Sequence, residues 1–177
     1  MMSDETETLV TRTGFRFFLR PVTPRDENTL AELFCQVSAE DLRFRFLSDA
    51  RETSEQRFAQ LMSDPDARVA SFLAFDEKRD VIASATMKGD RASEHCEIAI
   101  MIRAASKGRG IGWTLLDYLV GYAGSAGYAT VTSIEDRDNH ESIALQRQMG
   151  FATEPVRDEP TLVRVRRQLR HGHELSA

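Results

Sequence analysis

Between residues 98 and 125, an apolar run, a glycine-rich turn and a long amphipathic pattern follow one another almost without a break. That succession leaves the chain few folds to choose from. Ile98-Ala99-Ile100-Met101-Ile102 reads as a strand, and Lys107-Gly108-Arg109-Gly110-Ile111-Gly112 as the turn that leaves it. Ile111, Leu115, Leu116, Leu119, Val120 and Ala123 then recur at helical spacing and define one buried face. Glycines at a strand-to-helix junction allow a tight turn and present several backbone N–H groups at the positive end of a helix. Such a junction binds phosphate, and Arg109 can add a charge-assisted contact from the side. The spacing excludes two common phosphate loops. Trp113 stands where a dinucleotide fingerprint needs its third glycine, and no Gly-Lys-Ser or Gly-Lys-Thr occurs anywhere.

The rest of the chain is that of one globular domain. Its 177 residues are 41% hydrophobic and 29% charged, which suits a packed core rather than disorder. The acidic start, Met-Met-Ser-Asp-Glu-Thr-Glu, is unlike a secretory signal, and no apolar run is long enough for a membrane span. Two cysteines, Cys35 and Cys96, do not make a disulfide scaffold, so the cytoplasm is the expected compartment. A net charge of −5 argues against a nucleic-acid partner. Arg164 and Arg166, interleaved with Val163 and Val165, read as the solvated face of an edge strand. His95, His140, His171 and His173 make no metal set.

Residues 1–13 read as a flexible lead-in, 14–170 as a single domain and 171–177 as a tail. A strand is expected over 15–22. Thr23 then caps a helix with Pro24 at its first position, and Leu30, Leu33, Phe34 and Val37 form its buried face. Ser38–Leu47 reads as a short helix, and Thr53 with Gln56 opens another that turns Phe58, Leu61 and Met62 inward. Strands follow near 68–76, 80–88 and 94–103. Gly127 ends the long helix, Ala129–Ile134 is a strand, Asn139 starts a helix that stops at Gly150, and a last strand covers about 161–169. Meander and strand–helix–strand runs together imply an α/β (α+β) fold with helices packed on a mixed sheet.

A basic residue, two positions and then Gly-x-Gly entering a long helix, with Asn139 and Ala144-Leu145-x-x-x-Met149-Gly150-Phe151 downstream, resembles the GNAT superfamily of acetyltransferases. The resemblance covers about residues 14–170. It implies a mixed, mostly antiparallel central sheet flanked by helices, and acetyl-CoA as co-substrate without a metal. It places the cofactor's pyrophosphate on Lys107, Gly108, Arg109, Gly110, Ile111, Gly112 and Trp113. It places the pantetheine arm on the backbone of Met101, Ile102 and Arg103, and it assigns Asn139 a cofactor contact. Asparagine is equally a good N-cap, and the two roles are compatible.

Acetyl transfer to an amine needs a deprotonated nitrogen. A free lysine of pKa about 10.4 is neutral in only roughly one molecule in 2,500 at pH 7, and a carboxylate near the acceptor, directly or through a water, can remove its proton. Glu97 is the candidate base, because a carboxylate in the run Cys96-Glu97-Ile98-Ala99-Ile100 is costly to bury without purpose. The alternative is a solvent-facing or salt-bridged glutamate. Cys96, its neighbour, should point to the opposite face and belong to the core rather than accept acyl groups. Gln146 stands where many relatives carry a tyrosine that protonates the leaving thiolate, and an amide is no such acid. Lys107 replaces the more usual Gln or Arg at the head of the loop.

Within the superfamily, Arg20-Pro21-Val22-Thr23-Pro24-Arg25-Asp26-Glu27 and Leu42-Arg43-Phe44-Arg45-Phe46-Leu47 resemble bacterial acetyltransferases that modify lysines of acyl-CoA synthetases. The implied acceptor is a protein lysine, with an acyl-CoA synthetase as the implied partner. A small amine and a non-catalytic acetyl-CoA-binding module are the two rival readings.

Overall fold

A computed structural model describes residues 5–46, 59, 67–90 and 94–169. Among them, eight strands form one sheet in the order β1-β2-β3-β4-β5-β6-β8-β7. In chain order the elements are β1 (Glu7–Val10), β2 (Arg16–Pro21), α1 (Glu27–Gln36), α2 (Ala39–Phe46), β3 (Ala67–Phe75) and β4 (Val81–Asp90). They continue with β5 (His95–Ile102), α3 (Ile111–Ser125), β6 (Thr130–Asp136), α4 (His140–Gln148), β7 (Ala152–Pro155) and β8 (Leu162–Gln168). Every neighbouring pair is antiparallel except β5 and β6.

The sheet buries both faces. Leu115, Leu116, Leu119 and Ala123 of α3 and Ile143 of α4 pack with Phe17, Phe72, Ile82, Ile98 and Val131 on one side. Leu30, Leu33, Phe34 and Val37 close the other side against Leu73, Val81 and Met101. These are the helical faces that the 3.6-residue spacing marks out. Full burial of each leucine contributes roughly 2–3 kcal/mol. Strand β4, in the middle, is buried on both faces from Val81 to Met87, which accounts for its lack of alternation.

The start of α1 carries the expected cap in a tighter form. Pro24–Asp26 is a 3-10 turn that runs directly into α1. The Thr23 hydroxyl accepts from Arg25 N, while Asp26 accepts from Thr23 N at 2.7 Å. Arg20 grips the same carboxylate with two bonds of 2.7 and 2.8 Å. That guanidinium and the Thr23 bonds hold the Asp26 carboxyl down at about 2 against burial, which pushes the other way.

Three sequence expectations change. Residues 7–10, assigned to the lead-in, form β1, and residues 152–155 form β7. Both are four-residue strands whose signal is too short to rise above loop composition. Strand β8 is not an edge, because it pairs with β6 on one side and β7 on the other. Arg164 is nevertheless exposed, and Arg166 lies 3.9 Å from Glu154 of β7. The helix expected from Thr53, with Gln56, Phe58, Leu61 and Met62, lies outside the described residues.

Candidate active site

The parallel pair is where the sheet opens. Strands β5 and β6 are in register only at His95–Thr130, Cys96–Val131 and Glu97–Thr132. Further along, β5 remains bonded to β4 and β6 to β8, but β5 and β6 no longer pair with each other. Two backbone edges therefore face each other across a fork. A cavity of about 350 Å³ occupies it, lined by Ile98–Ile102 on one side and Ser133, Ile134 and Glu135 on the other. Such open edges can be satisfied by a ligand that carries its own amide groups.

The glycine loop closes one end of the cavity. Gly108 and Gly110 have φ of +76° and +82°, which L side chains rarely adopt. Gly112 lets α3 start against the sheet, because a Cβ there would lie 3.3 Å from Ile102 Cδ1. Gly110 stands at the N-cap of α3 and has no side chain to cap it, so among the described residues the first-turn N–H groups of α3 carry no side-chain cap from that position. Lys107 Nζ lies 2.5 Å from Asp41 of α2 and 4.0 Å from Glu141 of α4, spanning the mouth.

The β1–β2 hairpin supports this loop from behind. Thr13 Oγ1 donates to Arg109 O at 3.0 Å, and the Arg12 guanidinium sits 3.8 Å over the Trp113 ring. Residues assigned to a lead-in thus brace the glycine turn.

Most expected site residues converge. Glu97, Met101, Ile102, Lys107, Gly108, Gly110, Ile111, Gly112, Trp113 and Asn139 all line the cavity. Two do not. The Arg109 guanidinium lies 5.1 Å over Phe15, on the hairpin side of the loop. Arg103 lies just past β5, and its N–H donates to Ile82 O at 2.8 Å. Met101 is 3% exposed and packs its side chain on the α1 side, so only its backbone edges the fork.

Glu97 is exposed and sits at the last register position before the strands part. Its neighbour Cys96 is buried in the opposite core, where burial pushes the thiol up to about 12. That leaves no thiolate for acyl transfer. Asn139 caps α4, its Oδ1 accepting from Ser142 N at 3.4 Å, while its Nδ2 donates to Glu135 Oε2 at 2.9 Å.

Sequence reasoning missed the other charges in the cavity. Glu135, on β6 inside the fork, is bound by several side chains. Its Oε1 accepts from Gln146 Nε2 at 2.7 Å and Ser142 Oγ at 3.0 Å, with Ser133 Oγ at 3.1 Å. Ser133 Oγ is also 2.7 Å from Gln146 Oε1. Burial raises the Glu135 carboxyl above its ordinary range, and the hydrogen bonds oppose that rise. Arg45 of α2 lines the same cavity. Burial lowers its guanidinium while the charges of Glu97 and Glu135 hold it up. The period-2 placement of Val131, Ser133 and Glu135 on one face of β6 was the available signal for Glu135.

A forked parallel pair, a loop with two left-handed glycines and an uncapped helix start between its arms define an acyl-CoA transferase architecture. Residues 16–152 match the family model for the acetyltransferase (GNAT) domain, and the chain belongs to that family of N-acetyltransferases. The fold is similar to the GNAT domain of S. lividans PAT, at 22% identity and a TM-score of 0.81, covering 93% of this chain and 97% of that one. It is also similar to spermidine N-acetyltransferase from Vibrio cholerae in complex with CoA and spermine, at 14% identity and a TM-score of 0.71, covering 86% and 95%. A third likeness is to a cAMP-binding acyltransferase from Mycobacterium smegmatis, at 22% identity and a TM-score of 0.60. There the match covers 92% of this chain and 47% of that one. Acetyl transfer from acetyl-CoA is the chemistry of the family.

Proposed function

We propose that this protein transfers acetyl from acetyl-CoA to the side-chain amine of a protein lysine, with Glu97 as general base. The observation that carries the reading is the position of Glu97. It is an exposed carboxylate at the point where β5 leaves β6, on the rim of the cavity and open to solvent. An acceptor on a macromolecule can reach such a rim, whereas a small amine is usually enclosed.

In this reading the uncapped N–H groups at the start of α3 hold the pyrophosphate. The open edge of β5 at Ala99–Ile102 pairs with the pantetheine amides and supplies N–H donors for the acetyl oxygen as negative charge develops there. The second N–H of the Asn139 amide is left for the cofactor, since the first is spent on Glu135. Glu97 takes a proton from the incoming ammonium, directly or through water. Direct attack on the thioester then needs no covalent enzyme intermediate, in keeping with the raised Cys96 thiol. Cys35 and Cys96 are both free thiols, which fits a reducing compartment such as the cytoplasm.

The likeness of fold to the spermidine enzyme supports a second reading, in which the acceptor is a small polyamine. A thiol-release assay with acetyl-CoA separates the two, run against an acyl-CoA synthetase, lysine peptides and spermidine. The proposal expects turnover on protein lysine that falls about a hundredfold or more in Glu97→Gln, with acetyl-CoA affinity kept. Turnover confined to spermidine overturns the acceptor assignment. Full activity of Glu97→Gln overturns the base.

A further inference from the structure

We propose that Glu135 is the acid on the sulfur side of the reaction, delivering a proton from Oε2 to the thiolate that departs from acetyl-CoA. The inference rests on the acetyl-transfer reading above and assigns a residue to the step that Glu97 cannot serve.

The need is chemical. When the amine nitrogen has attacked the carbonyl carbon, the C–S bond breaks and its electron pair goes to sulfur. An alkyl thiol has a pKa of about 8.5 or more, and a thiolate in a cavity walled by Ile98, Ile100 and Leu145 is poorly solvated. Protonating it as the bond breaks lowers that cost. Glu97 is the wrong group for this, because in the acetyl-transfer reading it takes the proton from the amine and sits on the exposed rim of the cavity rather than inside the fork.

Within the fork, β6 turns Glu135 toward α4 and the cavity. Its two oxygens are used unequally. Oε1 is crowded by Gln146 Nε2, Ser142 Oγ and Ser133 Oγ, all within 3.1 Å. Among the described residues, Oε2 has the single partner Asn139 Nδ2 at 2.9 Å. A carboxylic acid carries its proton on the oxygen that accepts fewer bonds, so Oε2 can accept from Asn139 and still donate into the cavity. Gln146 cannot donate to sulfur in its place. Its Nε2 is engaged by Glu135 and Ser142, and an amide has no proton to lose at neutral pH.

Glu135 is faced by Arg45 from α2 and by Glu97 from β5, with Asp41, Lys107 and Glu141 at the mouth. Burial favours the protonated acid, while Arg45 and the hydrogen-bond donors favour the carboxylate. Opposed forces of this kind can place a carboxyl near its working pH. The proton count closes. The amine nitrogen releases two protons in becoming an amide, the departing sulfur takes one from Glu135, and Glu135 recovers one, so one is released per turnover.

The test is Glu135→Gln, read against two leaving groups. With acetyl-CoA and spermidine or a lysine peptide as acceptor, kcat should fall about a hundredfold while the acetyl-CoA Kd stays within about twofold. With acetyl-seleno-CoA, whose selenolate is stable unprotonated at neutral pH, the same variant should stay within about threefold of the native enzyme. Equal losses on both substrates overturn the acid role and leave Glu135 a positioning residue. An unchanged kcat on acetyl-CoA overturns it outright. Should Glu135→Gln fail to fold, Ser142→Ala keeps the acid and removes one donor to its carboxylate, so the basic limb of the kcat–pH profile should move upward. A basic limb that stays put refutes the proposal. The acetyl-transfer reading fails separately, through absent turnover or absent acetyl-CoA binding in the native protein.

Discussion

Replacing Gly110 by aspartate tests, through electrostatics, the proposed seat of the pyrophosphate at the glycine turn. Gly110 is the residue before α3, at φ +82°, and a Cβ added there would lie 3.3 Å from Thr11 Cβ. Any L residue therefore meets a backbone cost of about 1–2 kcal/mol and a tight contact with the hairpin. Asparagine shares that cost with aspartate and tolerates the left-handed conformation comparably. The two variants should unfold at similar temperatures and differ in one unit of charge. At about 5 Å from a phosphate and an effective dielectric of about 20, that charge is worth about 3 kcal/mol. Salt and exposure reduce it to about 1.5 kcal/mol, and the second phosphate partly restores it. Gly110→Asp should therefore bind acetyl-CoA about tenfold to a hundredfold more weakly than Gly110→Asn by calorimetry. The difference should shrink as salt is added and vanish for S-acetylpantetheine, which has no pyrophosphate. Equal affinities of the Asp and Asn variants for acetyl-CoA would refute the placement of phosphate at this turn.

Other substitutions probe the frame around the site. Asp26→Asn should cost about 2 kcal/mol at pH 7 in denaturant unfolding, since its carboxyl sits at about 2 against an ordinary 3.8. A lowered carboxyl stabilises above its unfolded value and loses that contribution as pH falls toward about 2, so the gap to native protein should close over that interval; a constant gap refutes the ion-pair account. Gly89→Ala would place a methyl group inside the Tyr128 phenol, where an alternative side-chain position must be found. A cost of about 1–3 kcal/mol should lower Tm by several degrees, and an unchanged Tm would show that Tyr128 swings away freely. Arg12→Ala should weaken acetyl-CoA binding a few-fold at low salt and little at high salt, by removing the guanidinium stacked on Trp113. An equal loss at both salts would assign Arg12 to packing alone.

The sequence was most legible where a pattern is local. The faces of α1 and α3 follow from leucine spacing, and the cap at Thr23 from a four-residue motif. The glycine turn announced itself because few residues adopt φ near +80°. Most cavity-lining positions between Glu97 and Trp113 were readable because they lie close together in the chain. What stayed hidden depends on pairing between distant segments. Glu135 reads as one more polar residue at a strand end until α4 brings Ser142 and Gln146 against it. Arg45 is one of two arginines on a short helix, and only packing against the sheet decides which one enters the cavity. Arg109, by contrast, looks like the obvious phosphate ligand, yet Phe15 draws it to the hairpin side.

Among the described residues, the strand pairing that joins β1–β5 to the three-stranded remainder β6-β8-β7 is confined to His95–Thr130, Cys96–Val131 and Glu97–Thr132, with Glu94 O just ahead of it accepting from Ala129 N and Thr130 N. In its own hydrogen bonding such a sheet is two plates with a crack between them, bridged by the shared core beneath the two later helices. A substrate that hydrogen-bonds to the edge of β5 fills the crack, and its binding energy becomes stiffness across the molecule. Loading and rigidity then rise and fall together with each catalytic cycle. The amides along the crack are the ones whose hydrogen exchange should report, turnover by turnover, whether the two plates are fastened.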